Sequence, residues 1–130
     1  MSVESTRAAM VAYWERDDLG VVAEDAVYTL MSTGEQARGR EAVGRLLRDF
    51  YQDAFEARVT TTNCIVGDGQ AVWEGEFLGR HIGPWQGIAA TGREVRAPLC
   101  VVYALENDQI KTAHIYLDVG SLRRQLGADA

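Results

Sequence analysis

The 130 residues suffice for one domain, and a composition of 47% apolar and 25% charged residues is that of an ordinary globular chain with a real core. The net charge of −6 argues against nucleic acid, whose phosphates are bound by Lys and Arg, and Arg40, Arg45 and Arg48 are interleaved with Glu41 and Asp49 as on a mixed, solvated helix face. No apolar run reaches the length of a membrane span, and the start Met1-Ser2-Val3-Glu4 has no basic stretch before an apolar one, so a cytoplasmic protein without membrane contact is expected.

Residues 4 to 18 read as a helix, with Met10, Val11 and Trp14 on one apolar stripe and Gly20 beyond its end. Ala26 to Met31 is a β-rich run, and Ser32 to Glu35 a loop. A second helix is expected from about Arg40 to Ala54, with Val43, Leu46, Leu47, Phe50 and Tyr51 sharing a face. Phe55 to Val66 reads as a strand ending at the Gly67-Asp68-Gly69 turn, and Gln70 to His81 as the next. Gly83 to Gly92 is a loop. Glu94 to Leu105 and Gln109 to Asp118 are strands joined by Glu106-Asn107-Asp108, and Val119 to Leu126 is a terminal helical segment. Helices followed by a long antiparallel meander make an α+β fold over residues 1–130. Its curved sheet is closed by the helices into a cone, whose pocket suits a small organic ligand.

Strand parity organises the chemistry. His114, Tyr116 and Asp118 share one face of the last strand, and Ala113, Ile115 and Leu117 the other. Either the polar trio meets water and the apolar trio the core, or the polar trio lines the pocket and the apolar trio is covered by a partner subunit. In the strand before the loop, Trp73, Gly75, Phe77, Gly79 and His81 share a face. Glycine in a strand marks a bend or a close approach, which suits the inside of a cone. A carboxylate such as Asp118 at a pocket wall would be desolvated and made a stronger base. Trp14, Tyr28, Tyr51, Trp73, Trp85, His114 and Tyr116 are candidate walls for a flat, hydrophobic or aromatic ligand. Cys64 and Cys100 read as buried, reduced thiols. CxxC, HExxH, GxGxxG and P-loop patterns are absent, so neither a metal nor a nucleotide cofactor is expected.

Three stretches resemble SnoaL-like polyketide cyclases of the NTF2-like superfamily. They are Gly39-Arg40-Glu41-Ala42-Val43; Gly79-Arg80-His81-Ile82-Gly83-Pro84 with Gly87-Ile88-Ala89-Ala90-Thr91-Gly92-Arg93; and Tyr116-Leu117-Asp118 with Leu122-Arg123-Arg124-Gln125-Leu126-Gly127. The resemblance implies an NTF2-like cone, a homodimer, and cofactor-independent ring closure by intramolecular aldol condensation; with the polar trio inward, Ala113, Ile115 and Leu117 need cover, which puts the dimer contact on the outer sheet face. It places the acid–base Asp at Asp118 and the loop His at His81, and so favours the polar trio facing the pocket. The sequence departs from the pattern in three places. Ala26 to Met31 carries no carboxylate, Arg80 stands for a Thr, and Ala89 for a Pro. An isomerase, dehydratase or epoxide hydrolase on the same scaffold, or a ligand-binding module without catalysis, is the alternative.

Overall fold

A reciprocal cap starts the first helix, α1 (Val3–Arg16). The Ser2 hydroxyl accepts from the Ser5 N–H at 3.0 Å, and the Ser5 hydroxyl from the Ser2 N–H at 2.9 Å. Asp17 then turns left-handed (φ 52°) and stops it. The computed structural model describes residues 1–128, so Asp129 and Ala130 of the domain expected over 1–130 lie outside the described residues. Strand β1 (Val22–Leu30) begins before Ala26, because Val22 and Ala23 are already buried. A short strand, β2 (Glu35–Arg38), pairs with β1 just past the expected loop, which it overlaps only at Glu35. Besides the backbone bonds, Gln36 Nε2 donates to Thr29 Oγ1 at 3.2 Å and Ala37 packs on the core, a pattern too short to show as alternation. The second helix, α2 (Arg40–Arg48), passes into a π-helical turn over Asp49–Ala54, which ends with the Phe55 N–H donating to the Phe50 carbonyl. Such turns re-aim side chains and are frequent at functional sites. Here it carries Phe50 and Tyr51, both packed against the core.

Strands β3 (Phe55–Gly67), β4 (Gln70–His81), β5 (Glu94–Glu106) and β6 (Gln109–Leu117) form the antiparallel meander, and α3 (Val119–Gln125) follows. The sheet order is β2-β1-β6-β5-β4-β3. It is not wholly antiparallel, since β1 runs parallel to β6. The whole meander separates these two strands in sequence, so no tight turn dictates their relative direction. The last strand ends at Leu117 rather than Asp118.

The pleat decides which residues meet the helices. On β4 the buried set is Ala71, Trp73, Gly75, Phe77, Gly79 and His81, as parity requires. A Cβ on Gly75 would run into the Thr60 carbonyl of β3, so only glycine allows that strand to approach there. On β6, Ala113 and Leu117 are buried and Ile115 packs on the core, while His114 and Tyr116 are exposed. Cross-strand neighbours fix this arrangement. Ala113 pairs with Tyr28 of β1 and Tyr103 of β5, both inward, and its small side chain leaves room for the two phenols. The expected buried thiols are elsewhere: Cys64 is exposed on the edge strand β3, and Cys100 is half-buried on the outer face. Leu122 of α3 and Leu126, just past its end, complete the core.

Candidate functional site

The concave side of the sheet carries rings from every layer. Phe50 of the π turn lies 4.8 Å from Phe77 and 5.3 Å from Phe55, centroid to centroid, and Trp85 of the loop lies 5.4 Å from Phe55. Tyr51 sits 6.0 Å from Phe77. Tyr103 meets Tyr13 at 5.8 Å and Trp14 at 6.0 Å, both edge-on. The Tyr28 hydroxyl donates to that of Tyr13 at 2.8 Å. Burial pushes the phenols up, Tyr51 to about 12, and Tyr28, Tyr13 and Tyr103 further, with a neighbouring phenol adding to each of these three. They are therefore neutral donors at physiological pH.

At the end of β4, His81 is fully buried, its ring 5.3 Å from Phe55. The Thr91 N–H donates to its Nδ1 at 3.2 Å. The Thr91 hydroxyl, 3.0 Å from the same nitrogen, accepts from the Arg93 N–H, which leaves its own hydrogen for Nδ1. A nitrogen that faces only donors must accept, so this network assigns the ring hydrogen to Nε2. Nε2 is buried without a partner. An unmet buried donor costs about 1–3 kcal/mol, which a ligand oxygen would recover. In this tautomer His81 presents Nε2–H to the interior as a hydrogen-bond donor. The loop that orients it is tied to α3, where Arg123 Nη1 donates to the Gln86 carbonyl at 2.7 Å.

Of the residues marked in the sequence, Trp14, Tyr28, Tyr51, Trp73, Trp85 and His81 lie on the inner side, although the Trp73 indole is already committed, donating to Thr61 Oγ1 at 3.0 Å. Asp118, His114 and Tyr116 do not join them. Asp118 is exposed and caps α3, its Oδ1 accepting from the Ser121 N–H at 2.9 Å. With Tyr116, Glu74, Pro98 and Cys100 it borders an open groove of about 770 Å³. The expectation that the polar trio faces the pocket is thus overturned. The apolar trio takes the core, the cheaper choice whenever helices cover only one face. No hydrogen bond joins Asp118 to His81 among the described residues. Every described Asp and Glu is exposed except Glu76 and Asp108, which are half-buried and bonded to Arg96 and Ser5.

Tyr13, Tyr103 and Thr91 were not marked by the sequence reading. Tyr103 could have been found, since it alternates with Val101 and Leu105 on the inner face of β5. Tyr13 and Thr91 carry no such signal, because helix rotation and loop path place them. Among the described residues there is no cluster of three or more His, Cys, Asp or Glu able to hold a metal, and no helix long and apolar enough to cross a membrane.

The profile of the family described as SnoaL-like polyketide cyclase matches residues 5–126. Solved structures share the fold. A protein described provisionally as a SnoaL-like polyketide cyclase from Jannaschia sp. CCS1 superposes with a TM-score of 0.86 at 14% identity, over 98% of this chain and 94% of its own. TsrD from Streptomyces laurentii gives 0.75 at 24% identity, over 97% and 95%. AclR from Streptomyces galilaeus, described provisionally as a hydroxylase, gives 0.72 at 16%, over 96% and 95%. A comparison with curated protein sequences finds no match.

Proposed function

The chain belongs to the SnoaL-like polyketide cyclase family, and from that premise we propose that it closes a ring by intramolecular aldol condensation of a polyketide-type carbonyl compound bound against the concave face of the sheet. One observation carries the reading: the fully buried His81, held by Thr91 with an unpartnered Nε2–H among aromatic rings. A donor fixed in a dry site is worth most where negative charge develops on oxygen.

The site offers donors and no buried carboxylate, so the substrate supplies the nucleophile as the enol of a 1,3-dicarbonyl. The enol carbon attacks a ketone carbon and the new C–C bond forms. The carbonyl electron pair moves to an oxygen that His81 Nε2–H stabilises by a hydrogen bond. The enol oxygen gives its proton to water, and water returns one to the new alkoxide, which ends as a hydroxyl. Asp118 serves as the cap of α3 in this reading, not as the base. Two copies pairing through the outer face form the working unit.

The absence of a buried Asp or Glu among the described residues favours one second reading, a binding module that holds such compounds without converting them. A turnover assay on a linear polyketide methyl ester separates the two, because the aldol product keeps the substrate's mass until water is lost. We expect turnover, an approximately 10²–10³-fold loss in His81→Ala, the usual worth of one oxyanion donor, and no more than a few-fold change in Asp118→Asn. Tight binding with no new product would establish the binding module. A loss of about 10²-fold or more in folded Asp118→Asn would return the base to that residue.

A further inference from the structure

The interior has a second unmet donor, distant in sequence from His81. The indole Nε1–H of Trp14 is buried and has no hydrogen-bond partner, although the ring lies edge-on to Tyr103 and faces its phenol. Around it are the hydroxyls of Tyr103, Tyr13 and Tyr28, with Tyr28 1% and Tyr103 6% exposed. These groups come from α1, β1 and β5, and the small Ala113 between Tyr28 and Tyr103 lets the two phenols share one face. The Tyr28 hydrogen is spent on Tyr13, so the indole, Tyr13 and Tyr103 are left to donate, and no described carboxylate or cation is buried beside them. Such a set is costly for an apolar ligand and repels nothing negative. Tyr51, on the π turn, borders both regions. It packs on Phe50 and Phe77 towards the His81 side, and it is near enough to Tyr13, Tyr28 and Tyr103 to influence each.

We propose that Trp14, Tyr13 and Tyr103, with Tyr28 holding the Tyr13 hydroxyl in place, form a second oxygen-binding subsite. It takes a ketone, phenol or enolate oxygen at one end of a flat conjugated substrate whose other oxygen meets His81. The substrate class is then a conjugated compound with oxygens at both ends, and negative charge arising at His81 is shared through the conjugation with the second set of donors. This deepens the reading given under Proposed function and rests on the same interior. It also accounts for an interior that holds donors at both ends and no base.

The test uses binding rather than turnover, with 7-hydroxycoumarin, which carries a lactone carbonyl at one end and a phenol at the other, and coumarin, which lacks the phenol. Binding is followed by ligand fluorescence and by calorimetry, with thermal melting as the folding control. We expect the 7-hydroxyl to tighten binding to the parent protein by roughly 3–10-fold, the range of a single net hydrogen bond. Trp14→Phe and Tyr103→Phe should each erase most of that gain and leave coumarin's Kd nearly unchanged. Tyr103→Phe removes one oxygen only and carries the test if Trp14→Phe fails to fold. His81→Ala should weaken both ligands and keep the gain. If folded His81→Ala changes nothing while the gain still depends on Trp14 and Tyr103, the subsite stands and the catalytic reading fails. A gain that persists in both Trp14→Phe and Tyr103→Phe, no gain in the parent, or no binding of either coumarin would overturn the subsite.

Discussion

Two side chains show how far an environment decides a role. His81 and Asp118 both carry the chemistry of proton transfer, yet only His81 is dry and held by two Thr91 donors. If its Nε2–H is the working group, His81→Gln, whose terminal amide can place an N–H in the same region, should retain more turnover than His81→Asn, which is too short to do so. Equal losses in the two variants would argue against a positioned donor. Asp118 behaves as a cap. Asp118→Ala should lower stability by about 0.5–2 kcal/mol, whereas Asp118→Asn and Asp118→Ser, which also cap, should stay within a few tenths. Urea unfolding of the three variants checks this, and an Asp118→Ala protein as stable as the parent would remove the capping role. Asp118 is also where the implied base would sit, and its exposure is the physical reason for assigning charge stabilisation to His81 instead.

Elements meet at points with little tolerance. The buried Thr6 hydroxyl donates to the Ser2 carbonyl at 2.7 Å and accepts from the Gly69 N–H at 3.0 Å, pinning α1 to the β3–β4 turn. Thr6→Val keeps the shape and strands the Gly69 donor, so a loss of about 1–3 kcal/mol is expected. Gly75→Ala drives a methyl group into the Thr60 carbonyl at the irregularity in β3–β4 pairing, and should cost about 1–3 kcal/mol or more by forcing the two strands apart. Denaturant midpoints at unchanged m-value test both. Wild-type stability in Gly75→Ala would mean that β3 relaxes freely, and the close approach would not be a requirement of the sheet.

For the whole molecule, the inner and outer faces of the sheet lead to separate predictions. Ile65, Val102 and Tyr116 are 62%, 38% and 47% exposed, and Val102 and Tyr116 lie on the outer face. This residual apolar surface, not Ala113, Ile115 and Leu117, which the chain's own core covers, is the reason to expect a homodimer. Sedimentation should give a dimer at micromolar concentration and a monomer for Val102→Glu. A monomeric parent protein would end the idea. The inner face governs the alkaline limit. Tyr13, Tyr28, Tyr51 and Tyr103 are harder to ionise folded than unfolded, so their contribution is intact below the ordinary phenol value of 10.0 and is lost as pH rises beyond it. Tyrosinate absorbance and circular dichroism should therefore change together above about pH 10, and Tyr103→Phe should move that transition upward. Buried phenols titrating near 10.0 in a protein that keeps its fold would contradict the packing of the interior.

The sequence by itself determined much of this. Apolar periodicity marked α1 and α2, turn residues bounded the meander, and alternation placed Trp73, Phe77 and His81 on one face, because local geometry fixes which side chains stand together. Motif order along the chain was enough to reveal the family. It could not say which face of β6 turns inward, since alternation is the same read from either side, and the resemblance favoured the wrong one for His114, Tyr116 and Asp118. Nor could it show β2, whose four residues are too few to carry a pattern, or the parallel pairing of β1 with β6. The tautomer of His81 and the gathering of Tyr13, Tyr28 and Tyr103 with Trp14 needed the tertiary structure. They depend on contacts between residues up to 90 positions apart, and those distances are set by the closing of the sheet against its helices rather than by any neighbour in sequence.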